Sequence, residues 1–237
     1  MPYALALGNG RLYVGGGFVS VDGMTRRSLA AFSLSSGTLD RGWRPSADDS
    51  VHALAVAGGK VYAGGAFHKI NDVTGTLRLA AVSATGGAVD RTFFPKPAAQ
   101  VNSVAVDTTG VYAATGGQGG RALAYTSAGR LRWQRVFDGD ATAVTTLRGT
   151  VYVGGHFDRA CVTNRNGAQG TCVDGSLSRV KLAALTGAGA LTSWAPQANG
   201  VIGVRTLAVD RSRGALGAGG DFTMIGGRIQ KRYASFG

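Results

Sequence analysis

Short apolar runs of four to seven residues recur along the chain, separated by polar turns rich in glycine. Four such runs make a unit, and the unit repeats. The first run reads Tyr3-Ala-Leu-Ala-Leu7, then His52-Ala-Leu-Ala-Val56, Asn102-Ser-Val-Ala-Val106, Thr142-Ala-Val-Thr-Thr146 and Arg205-Thr-Leu-Ala-Val209. The second reads Leu12-Tyr-Val-Gly-Gly-Gly-Phe18, Val61-Tyr-Ala-Gly-Gly-Ala-Phe67, Val151-Tyr-Val-Gly-Gly-His-Phe157 and Leu216-Gly-Ala-Gly-Gly-Asp-Phe222, with Val111-Tyr-Ala-Ala-Thr-Gly-Gly117 as a degenerate copy. A third run follows at Leu29-Ala-Ala-Phe32, Leu79-Ala-Ala-Val82, Ala122-Leu-Ala-Tyr125, Leu182-Ala-Ala-Leu185 and Tyr233-Ala-Ser-Phe236. The fourth is aromatic: Leu39-Asp-Arg-Gly-Trp-Arg-Pro45, Val89-Asp-Arg-Thr-Phe-Phe-Pro95, Leu131-Arg-Trp-Gln-Arg-Val-Phe137 and Leu191-Thr-Ser-Trp-Ala-Pro196. Five copies therefore divide one domain, residues 1–237, at about 1–49, 50–99, 100–140, 141–201 and 202–237.

Runs of this length, bounded by glycine and Asx turns, predict strands, and no window sustains the 3.6-residue period of a helix. Asn9-Gly10 and Gly58-Gly59 predict tight hairpins between the first two strands. Four antiparallel strands in a unit of about 50 residues predict an all-β fold, a β-propeller of five four-stranded repeats. The continuous second run predicts a strand covered on both faces by neighbouring sheets. The Gly-Gly pair after it predicts a close approach between sheets. Trp43, Phe93 or Phe94, Trp133 and Trp194 are expected between repeats. The last copy ends at its third run. This predicts either a five-bladed ring with a three-stranded last blade or, as favoured here, an incomplete arc of a larger propeller.

Val-Tyr-Val-Gly-Gly-x-Phe, then Leu-Ala-Ala-Phe/Leu, then Gly-x-Leu-Asp-x-x-Trp-x-Pro resembles the delta-sixty-type β-propeller repeats of secreted proteins in high-GC Gram-positive bacteria. The resemblance covers nearly the whole chain and is weakest in copy three. It implies an extracytoplasmic β-propeller serving as an interaction or surface module, and it carries no catalytic residues to transfer.

Composition narrows the function classes. Hydrophobic residues make up 44% and charged ones 16% of the 237, which excludes a charge-driven disordered chain. No apolar run approaches the ~18 residues of a membrane-spanning helix. The formal charge of +12 would attract polyanions. The 25 Lys and Arg are nonetheless dispersed without a block of like charge, so no specific nucleic acid is expected. Cys161 and Cys172, the only two cysteines, share a polar glycine-bearing loop and predict a disulfide that staples it. That pairing implies an oxidising compartment, hence an extracellular or cell-surface location. The opening Met1-Pro2-Tyr3 lacks a secretory leader, which predicts either its removal or further chain upstream.

The chemistry is sparse. His156 and Asp221 occupy the same slot between Gly-Gly and Phe in copies four and five. They are the one candidate acid–base or metal pair, the basis of an alternative reading as a hydrolase or lyase with a channel-mouth site. Arg159, Asn164, Arg165, Asn166 and Asp174 crowd the cysteine loop and are the candidate binding residues. Asp158, Asn164, Asn166 and Asp174 offer oxygens that would suit calcium, although the EF-hand spacing is missing and no cofactor or metal is otherwise expected. Asp40-Arg41 and Asp90-Arg91 are expected in surface or inter-repeat ion pairs. There is no Gly-x-Ser-x-Gly elbow, phosphate loop or dinucleotide fingerprint. The sequence therefore leans away from an enzyme and toward a binding or scaffold module whose partner is a protein or a cell-envelope glycan.

Overall fold

A computed structural model describes all 237 residues, Met1–Gly237. Regular structure is β throughout, apart from one 3-10 turn at Ala168–Gly170. No helix is long and apolar enough to cross a membrane. The chain forms two compact units, Met1–Val106 with Thr126–Arg130, and Asp107–Tyr125 with Leu131–Gly237.

In the first unit, copy one builds an antiparallel meander from Pro2–Gly8, Arg11–Gly16 and Leu29–Ser33. Copy two does the same with Val51–Ala57, Lys60–Gly65 and Leu79–Ser83. In the second unit, copy four uses Ala141–Leu147, Thr150–Gly155 and Leu182–Thr186, and copy five Val204–Asp210, Ala215–Gly220 and Tyr233–Phe236. Two consecutive left-handed residues close the first hairpin at Asn9-Gly10 (φ 51° and 71°) and at Gly58-Gly59, as the turn chemistry predicts. Arg148-Gly149 closes the same turn in copy four without an Asx or a second glycine.

The fourth run departs from a full strand. In copies one, two and four it meets the third strand at one bridge only, Phe32 with Leu39, Val82 with Val89 and Leu185 with Leu191. The reason is local. Asp40 accepts the N–H of Gly42 and Trp43, at 2.8 and 3.1 Å, which turns the chain out of the ladder. Pro45, Pro95 and Pro196 then withhold a ladder donor. Copy three has neither the Asx nor the proline, and its Leu131–Val136 forms a complete strand against Arg121–Tyr125.

The core lies between repeats. In the first unit Tyr13, Leu29, Trp43, Val51, Val61, Phe67 and Ile70 form one fully buried cluster drawn from copies one and two. In the second, Leu182, Val204, Ala218 and Phe222 do the same for copies four and five. The Gly-Gly pair serves both directions. A Cβ on Gly15, Gly64 or Gly154 would lie 2.4–2.6 Å from the valine that opens the next repeat, Val51, Val101 or Val204. A Cβ on the second glycine would strike a backbone carbonyl of its own repeat, for example Ser50 O at 2.1 Å from Gly65. The aromatics of the fourth run pack on the second strand of their own repeat: Trp43 meets Tyr13 edge to face at 5.0 Å, Phe93 meets Tyr62 at 5.3 Å and Trp194 meets Tyr152 at 5.2 Å. Trp43 and Trp194 also reach the next repeat as expected, at Ser83 O (2.9 Å) and at the Phe236 ring (5.3 Å).

The expected role of Asp40 and Asp90 is corrected in its partner. Asp40 pairs with Arg11 at 2.6 Å and Asp90 with Lys60 at 2.5 Å, each at the start of the second strand of its own repeat. Arg41 and Arg91 are exposed, and the aspartates instead also accept backbone N–H groups of their own turns. Burial opposes ionisation of both carboxyls. For Asp40 the N–H groups of Trp43 and Gly42 with Arg11, and for Asp90 Lys60 with Thr92, outweigh it and hold both below the ordinary carboxylate range. A folded-state value below the unfolded one gives stability that is complete above the unfolded value and disappears as pH falls through the folded one. The denaturation midpoint is therefore expected to stay level from neutral pH to about pH 5 and to drop below about pH 4. Asp40→Asn and Asp90→Asn should lower the neutral plateau and flatten that drop; an unchanged acid limb in both would contradict the assignment.

Candidate functional site: the cysteine-stapled loop

Between the second and third strands, copies one and five carry only a short hairpin, Ser20–Val21 with Met24–Thr25 and Met224–Ile225 with Arg228–Ile229. Copy four expands this hairpin. Arg159–Cys161 pairs with Ser176–Ser178, and the Cys161–Cys172 disulfide closes the insertion at Cα–Cα 5.1 Å, as the two cysteines predict. A short loop so closed loses about 3 kcal/mol of unfolded-state freedom on the chain-entropy account.

The predicted binding residues divide into two sets. Asn166 faces inward: its Oδ1 accepts Arg121 Nη2 at 3.1 Å and its Nδ2 donates to Gln118 O, docking the loop on copy three. Asp174 is exposed but tied within the loop. It accepts the Thr163 hydroxyl at 2.6 Å and lies 3.6 Å from Arg165 Nη1. Arg159, Asn164 and Arg165 face solvent. Beside them stand three apolar side chains that the sequence reading missed, Val162, Val173 and Leu177, at 52%, 51% and 48% exposure. Their signal was available as unpaired apolar residues inside a polar insertion. A shallow cleft of about 410 Å³ adjoins the loop, lined by Asp138, Arg159, Gln169, Thr171, Cys172 and Ser176.

Several carboxylates in and around the loop have partners within the protein. Asp158 pairs with Lys181 at 2.7 Å, and Asp138 accepts the N–H of Asp158 and Arg159, both at 2.9 Å. No three metal-ligating side chains converge. Asp138 belongs to a recurring clamp. Asp48 accepts His68 and Lys69 N–H at 2.8 and 2.9 Å, and Asn199 Oδ1 accepts Thr223 and Met224 N–H, both at 2.8 Å. Each clamp ties the end of one repeat to the residues after Gly-Gly-x-Phe in the next. The recurring Pro-x-Ala-Asx of Pro45–Asp48 and Pro196–Asn199 was its sequence signal.

His156 and Asp221 do share a slot: each donates its N–H to the carbonyl at the start of its repeat's first strand, Asp140 O at 2.9 Å and Gly203 O at 3.0 Å. Their side chains do not work together. Asp221 accepts Ile202 N–H at 3.0 Å and Gly203 N–H at 2.5 Å, while the exposed His156 imidazole makes no hydrogen bond or ion pair. The Ile202 N–H, aided by Gly203, holds the Asp221 carboxyl below its ordinary range although burial opposes it. A carboxylate so committed closes a turn and is a poor proton carrier near neutral pH.

No family model and no curated protein matches the chain. Among solved structures, the WD40 beta propeller domain of Doa1 matches with TM-score 0.59 at 13% identity, over 90% of this chain and 58% of that one. The computationally designed Ika4 protein matches with TM-score 0.46 at 16% identity, over 65% of this chain and 84% of that one. The first likeness shows the fold. The chain has a β-propeller fold of five repeats, of which only the third completes its fourth strand, and it spans less than two thirds of the Doa1 structure.

Proposed function

We propose that the protein is a non-enzymatic binding module of the cell exterior that presents the cysteine-stapled loop to a protein partner. A propeller fold alone does not choose a function, so the reading rests on the site. One observation carries it. The loop is fastened from within by the disulfide, Asn166 and Asp174, while Arg159, Asn164, Arg165 and the Val162, Val173 and Leu177 side chains stay open. A pre-ordered surface loses little freedom on binding. Arginine bordering exposed apolar groups is the composition of protein contacts. The loop holds no aromatic ring on which a sugar face would stack, which favours a protein over a cell-envelope glycan. The disulfide supports an oxidising compartment, in keeping with membership in the delta-sixty-type repeat family, which forms part of this proposal.

A photo-crosslinker at Arg165 should capture one defined protein from the envelope fraction, and the same probe at Thr85 should not. With that partner purified, Arg159→Ala with Arg165→Ala should weaken binding at least about tenfold, or 1.4 kcal/mol. Reduction should weaken it similarly and expose residues 162–175 to protease while the repeats stay folded. Equal capture at both positions, or binding indifferent to both treatments, would overturn the proposal. Competition by an envelope glycan would reassign the loop to sugars.

A further inference from the structure

We infer that copy one carries an anion site: a cleft of three arginines that binds a phosphoryl group, free or esterified to a small molecule. The cleft measures about 360 Å³ and is lined by Thr25, Arg26, Arg27, Arg44, Pro45 and Ser46. It lies within the first unit and shares no residue with the cysteine loop, so this reading and that of the loop can fail separately.

Local structure builds one of these arginines in and leaves two free. Arg26 is only 7% exposed. Its Nη1 donates to Thr25 O at 2.8 Å and its Nη2 to Asp40 O and Arg41 O at 3.3 and 3.4 Å, while the buried Nε finds no acceptor in the protein. Carbonyl oxygens alone meet its charge, and a buried cation without a paired anion is costly. Arg27 and Arg44 are exposed, and their side chains make no hydrogen bond or ion pair. No carboxylate lines the cleft; that of Asp40 turns to Arg11 and to the N–H groups of Gly42 and Trp43.

The other repeats show which part of this arrangement the fold needs. Arg179 in copy four is anchored as Arg26 is, Nη1 to Ser178 O at 2.6 Å and Nη2 to Thr192 O at 2.7 Å, so the buried arginine is a strut of the repeat. Its company differs. Arg27 O accepts Ala47 N–H as Val180 O accepts Ala198 N–H, both at 3.0 Å, which sets Val180 where copy one has Arg27. Ala195, between Trp194 and Pro196, stands where copy one has Arg44, and copy two fills the three positions with Thr76, Leu77 and Phe94. Of these three copies only the first brings three guanidiniums together. A cleft lined by one sign of charge focuses its field and concentrates counter-ions. Two free guanidinium forks and a third, fixed charge suit the three oxygens and double charge of a phosphoryl group better than a singly charged carboxylate. Arg26 is already ordered, so little freedom is lost on binding.

Calorimetric titration of the intact chain at about 50 mM salt, with inorganic phosphate and with glucose 1-phosphate, tests it. One site should saturate with a Kd near or below about 1 mM, and glucose should not bind. Arg27→Ala with Arg44→Ala should weaken binding at least about tenfold. Neither side chain has a partner, so that variant should keep the wild-type denaturation midpoint. Arg91→Ala with Arg211→Ala removes the same charge from exposed, unpaired positions and should bind as the wild type does. Tighter binding of the sugar ester than of the free ion would make an ester the ligand; equal binding would make it the ion itself. No saturation by about 10 mM, a cleft variant that binds as before, or equal weakening in both double variants would each overturn the inference.

Discussion

Gly64→Ala is expected to destabilise the fold by about 1–3 kcal/mol, and to cost clearly less in a chain that already carries Val101→Ala. In an open strand the substitution would stabilise by roughly 0.5–1 kcal/mol, because glycine loses the most backbone freedom on folding. The clash decides the sign here. The new methyl would sit 2.4 Å from Val101 Cγ1 and 2.8 Å from Val104 Cγ2, where Val101 is fully buried. Truncating Val101 alone leaves a void and costs energy too. The double variant should therefore be more stable than the sum of the single losses predicts, by about 1–2 kcal/mol. Gly65→Ala is the control. Its methyl would meet Ser50 O at 2.1 Å and Val51 Cα at 3.0 Å, which are backbone atoms that no truncation removes. It should cost more than Gly64→Ala and gain nothing from Val101→Ala. Denaturant midpoints of the four variants measure all of this, and additive losses at Gly64 and Val101 would refute the contact.

This contact was legible in the sequence because it is built from one recurring motif. Gly-Gly follows every continuous second run except the third, and a glycine conserved in position against a buried strand has few other uses. The aromatic of the fourth run was legible for the same reason. What the sequence concealed are contacts chosen across space. Asp40 finds Arg11 and not its neighbour Arg41, because the Asx turn points its carboxylate back toward the second strand. Asn166 reads as a loop residue free to bind, yet Arg121, forty-five positions earlier, draws it inward. His156 and Asp221 align in register without meeting, since an equivalent slot in two repeats sets equal backbone roles and leaves the side chains independent. Repetition exposes what every copy does and conceals what one copy does alone, and a binding site is of the second kind.

Trp43 is the position where two energies can be separated by choice of substitution. Its ring is fully buried, packs edge to face on Tyr13 at 5.0 Å and donates its indole N–H to Ser83 O of the next repeat at 2.9 Å. Trp43→Ala removes ring, contact and hydrogen bond together, and should cost about 3–5 kcal/mol. Trp43→Phe keeps an aromatic face for Tyr13 but loses the donor and part of the volume, and should cost about 1–2 kcal/mol. Copy two already holds that arrangement, with Phe93 edge to face on Tyr62 at 5.3 Å, so the packing accepts a phenyl ring. Tyr13→Phe tests the polar half alone, because the Tyr13 hydroxyl donates to Ala84 O at 2.8 Å in a fully buried setting. Its cost should match the hydrogen-bond share of the tryptophan loss, about 1 kcal/mol. If burial dominates, the order of stability is wild type, Tyr13→Phe, Trp43→Phe, then Trp43→Ala at a clear distance. A Trp43→Phe variant as damaged as Trp43→Ala would instead make the indole N–H the chief tie between the first two repeats.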